Sequence, residues 1–399
     1  VRRNSNAVKG IEQMYINSEI EAKIDELLKK MTLHEKAGQL HQIGPSPVGG
    51  FEISEADAAK MLEEGKITEQ TFEAIKNHTM LDRREDDIRR GSIGSFIGVD
   101  NAQKSNKLQR IAVEESRLGI PMIMGMDVIH GHKTIFPVPL AQSCTFDEKT
   151  FEKSTGIAAK EAREDGIHWT YAPMVDIARD TRWGRVAEGV GEDTYLASRY
   201  AAAMVRGFQG EKLGSPNHLA ACVKHFAAYG ACEGGRDYDT VDMSLPKFYE
   251  IYLPPFAAAI NEGAATVMVA FNDLNGIPCT TNEWLLKDVL RGELGFEGFV
   301  ISDANAINEC VIHGTSYDIH QAVKQSIEAG CDMDLGSDAY INHLEEMIKN
   351  GEISEDTLDD SVRAVLRIKF ALGLFENPYT EIPQNLQSFV RNTVPLRWI

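Results

Sequence analysis

Short apolar segments alternate with longer amphipathic segments through most of the chain after residue 92. The apolar segments predict seven β-strands, at residues 93–99, 122–126, 169–175, 219–223, 266–270, 299–301 and 331–335. The stretches between them are rich in Ala, Leu, Glu and Lys and predict helices, for instance at residues 147–164, 195–209 and 249–262. Strand–helix alternation of this kind indicates a parallel sheet that is closed, or nearly closed, into a barrel.

These elements predict the α/β fold class and a (β/α)8-type TIM barrel, in which one of the strands can be irregular. A doubly wound open sheet is the alternative arrangement of the same elements. No GxGxxG turn follows any of the predicted strands, so the dinucleotide-binding version of that sheet is not indicated.

Two helices are predicted ahead of the barrel, because Ser18 and Thr32 each begin a capping-box pattern. We therefore expect residues 1–90 to form a helical segment that leads into the barrel. Much of that segment, residues 52–90, is dense in charged residues and predicts only a solvated surface.

The barrel itself is predicted to span residues 91–378. A long amphipathic helix over residues 353–374 ends it, and the pair Asn377-Pro378 stops that helix. Residues 379–399 are punctuated by prolines and weakly patterned, so we expect a linker or tail there.

Composition restricts the class of protein. The chain has 399 residues, of which 43% are hydrophobic and 25% charged, as is typical of soluble globular proteins. No apolar run reaches the roughly 20 residues needed to cross a bilayer, so we predict no membrane insertion. The net charge of −19 repels nucleic-acid phosphates, so we predict no nucleic-acid partner. The six cysteines form no CxxC pair, so neither a structural zinc site nor a dense disulfide framework is indicated.

Polar side chains follow five of the predicted strands at the point where each strand ends. These residues are Asp127 with His130, Asp176, Lys224 with His225, Asn272, and Ser302 with Asp303. Because the carboxyl ends of barrel strands meet at one rim, where ligands bind, they predict a polar ring around a site. For Asp303 alone, capping of the next helix is the alternative.

Three arginines surround one tryptophan in the segment Arg179-Asp180-Thr181-Arg182-Trp183-Gly184-Arg185. Taken alone, this segment could clamp a phosphate or a carboxylate. We favour a sugar site, because an arginine fixed by an acid donates several hydrogen bonds to hydroxyls and a tryptophan offers an apolar face to the ring. The acids that could fix these arginines are Glu188, Glu192 and Asp193.

Several motifs occur together and in one order. They are Asp127-Val128-Ile129-His130-Gly131, the 179–185 segment with Gly191-Glu192-Asp193, Val223-Lys224-His225-Phe226, Glu233-Gly234-Gly235-Arg236-Asp237-Tyr238, Asn275-Gly276-Ile277-Pro278 and Phe299-Val300-Ile301-Ser302-Asp303. In combination they resemble the N-terminal barrel of glycoside hydrolase family three, especially its bacterial periplasmic β-glucosidases. The resemblance covers roughly residues 27–379.

The resemblance implies a role for each matching residue. Asp303 corresponds to the nucleophile, which attacks the anomeric carbon and forms a covalent glycosyl ester. The positions implied to bind the sugar or shape its pocket are Asp127, Arg185, Lys224, His225, Met268 and Phe271. Glu188 and Arg179 are implied to contact these residues and not the sugar itself. We expect no metal and no cofactor.

The resemblance also implies a proton donor that the chain does not evidently carry. In the β-glucosidases of the family the acid/base Glu lies on a second, α/β sandwich domain, which we do not expect within this chain. The single-domain branch uses a His/Asp pair after KHFPGHG, where this chain has Lys224-His225-Phe226-Ala227-Ala228-Tyr229-Gly230. We therefore expect a second domain or subunit to supply the donor. Glu233 is the candidate within the chain, with holding Arg236 as its structural alternative.

We therefore predict a retaining, exo-acting β-glucosidase that hydrolyses terminal non-reducing β-D-glucosyl residues of β-glucosides or short oligosaccharides. A non-hydrolytic glycan-binding barrel, and a β-xylosidase or other β-glycosidase of the same family, are the alternatives. A Schiff-base or metal-dependent enzyme built on Lys224 is a third, but the nearby histidines form no metal motif such as HExxH. The resemblance implies a periplasmic or secreted location, with the cytoplasm as the alternative.

Overall fold

Eight parallel strands form a ring in the computed structural model, which describes residues 16–44, 55–65, 72–73 and 81–382. The strands of the ring, in their hydrogen-bonded order, are β1 (His41–Ile43), β2 (Ser95–Ile97), β3 (Ile123–Met126), β4 (Trp169–Thr170), β5 (Ala220–Phe226), β6 (Thr266–Val269), β9 (Phe299–Ile301) and β10 (Asp334–Leu335). Strand β10 pairs with β1, and a bridge between Ile301 and Met333 closes the ring. The antiparallel hairpin of β7 (Asp273–Leu274) and β8 (Ile277–Pro278) follows β6.

Helices connect the strands of the ring. Within the described residues, the α-helices span Ser18–Leu28, Leu33–Gln39, Glu55–Glu63, Leu81–Arg89, Ala102–Arg110, Pro139–Ser143, Glu148–Glu164, Thr194–Gln209, Leu245–Lys247, Pro254–Asn261, Ala306–Ile312, Ile319–Ala329, Ala339–Lys349 and Glu355–Ala371. Wider π-helical turns span Ile111–Glu115, Phe248–Tyr252 and Trp284–Glu293. In this part of the chain, no helix is both long enough and apolar enough to cross a membrane.

The predicted (β/α)8-type TIM barrel is confirmed. Each of the seven predicted apolar segments overlaps one strand of the ring. The irregular strand is β5, whose register against β6 shifts between Val223 and Phe226.

The eighth strand, β1, lies within residues 1–90, where only helices were predicted. All three of its residues are buried, although only Ile43 is apolar. Gln42 Nε2 donates to Ser95 Oγ at 2.6 Å, and His41 Nδ1 lies 2.9 Å from the carbonyl oxygen of Ser92. Because polar partners replace apolar contacts here, the pattern of hydrophobic residues does not reveal this strand. The ring of strands therefore begins at residue 41 and not at residue 91 as predicted. Of the proposed outer segments, residues 1–15, 45–54, 66–71, 74–80 and 383–399 lie outside the described residues.

Helices begin at both of the places predicted near the N-terminus, at Ser18 and at Leu33, directly after Thr32. Thr32 Oγ1 accepts from the N–H of Glu35 at 3.2 Å, and Glu35 Oε2 accepts from the N–H of Thr32 at 2.8 Å, which is the predicted capping box. The predicted cap at Ser18 is wrong by one residue. Asn17 caps that helix instead, and its side chain accepts an N–H of the first turn at 2.8 Å.

Large side chains fill the interior of the ring. Trp169 Nε1 donates to Thr266 Oγ1 at 2.8 Å, and its indole contacts the rings of Tyr171 and Phe299 at centroid distances of 4.7 and 5.1 Å. Gly125 in β3 makes room for this packing, since a Cβ there would lie 2.0 Å from the Tyr171 hydroxyl. A filled interior leaves the rim of the ring as the place where a ligand can bind.

Candidate active site

Asp303 lies two residues beyond the end of β9, at the carboxyl-terminal rim of the ring. Its side chain is buried, and Oδ1 accepts a hydrogen bond from the N–H of Ala304 at 2.7 Å. The next helix, Ala306–Ile312, has Asn305 at its N-cap position and no side-chain cap hydrogen bond. The alternative that Asp303 caps this helix is therefore wrong. Within the described residues its second oxygen, Oδ2, has no hydrogen-bond partner.

Two cations act on the Asp303 carboxyl. Lys224 is buried, and its Nζ donates to Asp127 Oδ1 at 2.7 Å. Burial lowers the pKa of Lys224, but the charges of Asp127 and Asp303 outweigh burial and raise it above its usual value. Burial raises the pKa of Asp303 to about 6, while the charges of Lys224 and Arg185 limit that rise. The carboxyl is therefore ionised at neutral pH and protonated in mild acid.

His225 follows Lys224 on β5 and faces Asp303. Its Nδ1 lies 2.8 Å from Oδ2 of Asp176, which also accepts the backbone N–H of His225 at 3.0 Å. Burial lowers the pKa of His225 well below its usual value and raises the pKa of Asp176 to about 7. A neutral imidazole that donates from Nδ1 leaves Nε2 as an acceptor, 3.6 Å from Asp303 Oδ2. In the part of the chain described, neither atom has a hydrogen-bond partner, so each keeps an unused lone pair.

Arg185 is held by an ion pair with two parallel hydrogen bonds. Its Nε and Nη2 donate to the two carboxylate oxygens of Glu188 at 2.8 and 2.9 Å, and its guanidinium lies 5.6 Å from the centroid of the Tyr229 ring. Burial lowers the pKa of Arg185, but Glu188 more than compensates and the net shift is upward. Arg179, by contrast, is exposed and makes none of these contacts.

Met268 and Phe271 come from the end of β6 and lie at different depths. Met268 is buried in the cluster that fills the barrel interior. Phe271 lies at the rim, with its ring centroid 4.6 Å from that of Tyr238 and 5.9 Å from that of Tyr229. Of the two, only Phe271 belongs to the aromatic group beside the charged residues.

Trp183 does not offer its face to a ligand, so that prediction is wrong. Its side chain is only 2% exposed, it meets the edge of the Tyr229 ring, and its Nε1 donates to Asp237 Oδ1 at 2.8 Å. Gly235 allows the two loops to come this close: its φ is +68°, and a Cβ there would lie 2.9 Å from the backbone nitrogen of Trp183. The tryptophan therefore fastens the loop after β5 to the loop after β4.

Glu233 lies in a turn of the loop after β5, and its side chain is exposed. Arg236 Nε donates to Asp239 Oδ2 at 2.7 Å, so the alternative that Glu233 holds Arg236 is wrong. The assignment of Glu233 as proton donor stays a prediction.

The sequence assigned no individual role to two carboxyls near the site. Asp176 was placed in the polar ring, but its bond to His225 joins residues 49 positions apart and exists only in the fold. Glu309, in the helix after β9, is partly buried, and burial together with the charge of Asp303 raises its pKa to about 7. An acid in the first turn of a helix is common because it favours the helix dipole, so no sequence signal distinguished it.

The part of the chain that forms this rim matches a known family. Residues 32–368 match the Glycosyl hydrolase family 3 N terminal domain. The chain belongs to glycosyl hydrolase family 3. This family 3 chain is 40% identical over 362 residues to the periplasmic β-glucosidase of Salmonella typhimurium, an alignment that covers 91% of the chain and 43% of that protein. It is 33% identical over 378 residues to a putative β-xylosidase of Formosa agariphila, covering 92% of the chain and 47% of that protein. The chain thus spans about half the length of the curated relatives it matches.

Solved structures of bacterial β-glucosidases share the fold. A mutant β-glucosidase from Listeria innocua in complex with laminaribiose matches with a TM-score of 0.80 at 42% identity, over 95% of this chain and 50% of that one. A β-glucosidase of the same bacterium in complex with isofagomine also gives 0.80, at 41% identity over 95% of this chain and 49% of that one. The family resemblance derived from the motifs is confirmed.

Proposed function

We propose that this chain carries the nucleophile of a retaining, exo-acting β-glycosidase of the β-glucosidase type. The proposal rests on the Asp303 carboxyl, which is buried at the rim, has a pKa of about 6 and has one oxygen without a partner in the described residues. At neutral pH such a carboxylate is ionised but poorly solvated, which suits attack on an anomeric carbon. Relatives named β-glucosidases support glucose as the sugar.

The reaction follows from the charge distribution of the site. Asp303 Oδ2 bonds to the anomeric carbon while the bond to the leaving oxygen breaks, and water later releases the sugar with its configuration retained. The transition state is cationic, so the ionised carboxylate stabilises it before the bond is complete. Lys224 and Arg185 favour the anionic form of Asp303 and so keep the nucleophile available.

The polar residues around Asp303 are proposed to bind the hydroxyls of the same sugar. Asp127 uses Oδ1 to accept from Lys224, and its side chain is half exposed, so its other oxygen can accept from a hydroxyl. Lys224 and Arg185 donate, and His225 Nε2 accepts. Glu188 fixes the direction of the Arg185 guanidinium. Met268 and Phe271 are proposed to close the apolar side of this pocket.

Retention requires a second carboxyl about 5–5.5 Å from the nucleophile to protonate the leaving oxygen. We propose that a second domain or subunit supplies it, as the family resemblance implies. Within the chain, Glu233 remains a candidate, and Glu309 joins it because its pKa of about 7 keeps much of it protonated at neutral pH. Replacing the true donor by Gln removes activity on alkyl glucosides but spares glucosides whose leaving group needs no proton.

A β-xylosidase is the second candidate function, since proteins of Formosa agariphila with that name are also relatives. Comparison of kcat/KM for aryl β-glucoside and aryl β-xyloside distinguishes the two. We further propose that the natural substrates are β-glucosides or short oligosaccharides and that the protein is periplasmic or secreted, as the Salmonella relative is named periplasmic.

Formation of a covalent adduct from a fluorinated dinitrophenyl β-glucoside tests the proposed function. Dinitrophenolate leaves without protonation, so no donor from outside the chain is needed. We expect the rate of adduct formation to rise with pH around a midpoint near pH 6, because only ionised Asp303 attacks. Intact mass spectrometry at timed intervals measures it.

Two other results would contradict the proposed function. A rate that does not change across this pH range would contradict attack by Asp303. No adduct at any pH, together with glucose binding by calorimetry, would favour the glycan-binding barrel that does not hydrolyse. A dinitrophenol release assay on the unfluorinated glucoside provides an independent readout.

A further inference from the structure

Tyr238 is the outermost member of an aromatic cluster beside the nucleophile. The cluster consists of Trp183, Tyr229, Tyr238 and Phe271. Its other three members are buried, whereas Tyr238 is 50% exposed. The Tyr238 ring lies 4.6 Å from the Phe271 ring and 6.4 Å from the Tyr229 ring, centroid to centroid, so one side of it is supported by other rings. The exposed half of Tyr238 therefore presents an aromatic surface on a rigid base.

The backbone around Tyr238 is held in place. Its φ of +65° lies in the left-handed region, which non-glycine residues rarely adopt. The preceding residue, Asp237, accepts from Trp183 Nε1, and Gly235 lies against the backbone of Trp183. The ring of Tyr238 is thus positioned by the residues that precede it and by the rings of Phe271 and Tyr229.

The nucleophile and an open stretch of the rim lie close to this surface. The Tyr229 ring, which contacts Tyr238, also lies 5.1 Å from the His225 ring, centroid to centroid, and His225 Nε2 lies 3.6 Å from Asp303 Oδ2. Burial and the charge of Asp237 raise the pKa of the Tyr238 hydroxyl, and the charges of Asp303 and Glu309 raise it further. Directly after Asp303, the small side chain of Ala304 is exposed, and so is that of Asn305. No bulky side chain therefore directly follows the nucleophile, and Tyr238 is the half-exposed member of the aromatic cluster beside it.

We propose that Tyr238 is the stacking platform for the leaving group, that is, for the second sugar of an oligosaccharide or for an aromatic aglycone. The apolar C–H face of a pyranose and the face of an aryl group both pack well on an aromatic ring. This inference rests on the proposed function, because it takes Asp303 as the point of bond cleavage. Tyr238 then determines which leaving groups the site accepts, while the charged residues hold the sugar that is transferred.

Two fluorinated β-glucosides that differ only in the leaving group test the platform. One carries dinitrophenolate, whose ring would stack on Tyr238, and the other carries fluoride, which is too small to reach it. For Tyr238→Ala we expect the second-order rate of adduct formation to fall on the order of tenfold with the dinitrophenyl compound and to stay within about twofold with the fluoride. Tyr238→Phe keeps the ring and should retain both rates.

Tyr195→Ala is the matched control, because Tyr195 is an exposed tyrosine with no part in the cluster. Equal losses with both compounds in Tyr238→Ala, or an unchanged dinitrophenyl rate, would overturn the platform while leaving the proposed function intact. If the unsubstituted protein forms no adduct with either compound, the proposed function itself fails, and the platform fails with it.

Discussion

Replacing Asp303 by Asn is expected to abolish glycosyl transfer and, at the same time, to stabilise the fold. An amide is not nucleophilic, so adduct formation from the fluorinated dinitrophenyl glucoside should fall on the order of ten-thousandfold or more. Asn can still accept the N–H of Ala304, which holds the Asp303 side chain at 2.7 Å, so the local geometry survives.

The stabilisation follows from the raised pKa of Asp303. In the folded protein this carboxyl has a pKa of about 6, against 3.8 for an unperturbed aspartate. The folded state therefore binds the proton more tightly, and stability decreases as pH rises from about 4 to about 6. Above that range the buried charge costs about 3 kcal/mol, which Asn does not incur.

Thermal unfolding at two pH values measures this effect. The melting temperature of Asp303→Asn should exceed that of the unsubstituted protein at pH 8, and the two should converge near pH 4. Asp288→Asn is the control, because Asp288 is an exposed carboxylate away from the site. A variant that still forms the adduct would contradict the nucleophile assignment, and one that melts lower at pH 8 would contradict the electrostatic account of the site.

Replacing Lys224 by Met is expected to have the second-largest effect. Lys224 Nζ bonds to Asp127, and its charge also opposes the protonation of Asp303. Without that charge, burial and Asp127 raise the pKa of Asp303 above about 6. More of the nucleophile is then protonated at neutral pH, and a donor to the sugar is lost as well.

The rate of adduct formation at pH 7 should therefore fall on the order of a hundredfold, and part of the loss should be recovered at higher pH. Lys36→Met is the control, because Lys36 is also a buried lysine held by carboxylates, those of Glu355 and Asp359, but far along the chain from the rim residues. It should lower stability without moving the pH midpoint of adduct formation. An unchanged midpoint in Lys224→Met would show that Lys224 does not control the ionisation of Asp303.

The sequence revealed most of the barrel because its strands are apolar and end in polar residues. Phe299–Ile301 followed by Asp303 is the clearest example, and the predicted strand and the observed one coincide. Strand β1 was missed because His41 and Gln42 are buried with polar partners that come from elsewhere in the chain. Alternation of apolar segments cannot detect a strand whose burial depends on such partners.

The site was less predictable than the fold, because its residues act through pairs that only the fold creates. The sequence marked Asp127 and Lys224 separately, but their 2.7 Å ion pair links positions 97 residues apart. Trp183 was predicted as a sugar-facing ring, whereas it lies under Tyr229 and fastens two loops. Sequence spacing does not tell whether an aromatic residue beside arginines faces the ligand or supports the loop.

The site of covalent attachment is the most direct test of the account. The protein is treated with the fluorinated dinitrophenyl β-glucoside, digested at low pH and analysed by tandem mass spectrometry. We predict a single glucosyl ester on Asp303. An ester on Glu233, Glu309 or any other carboxyl, with Asp303 unmodified, would contradict the central claim.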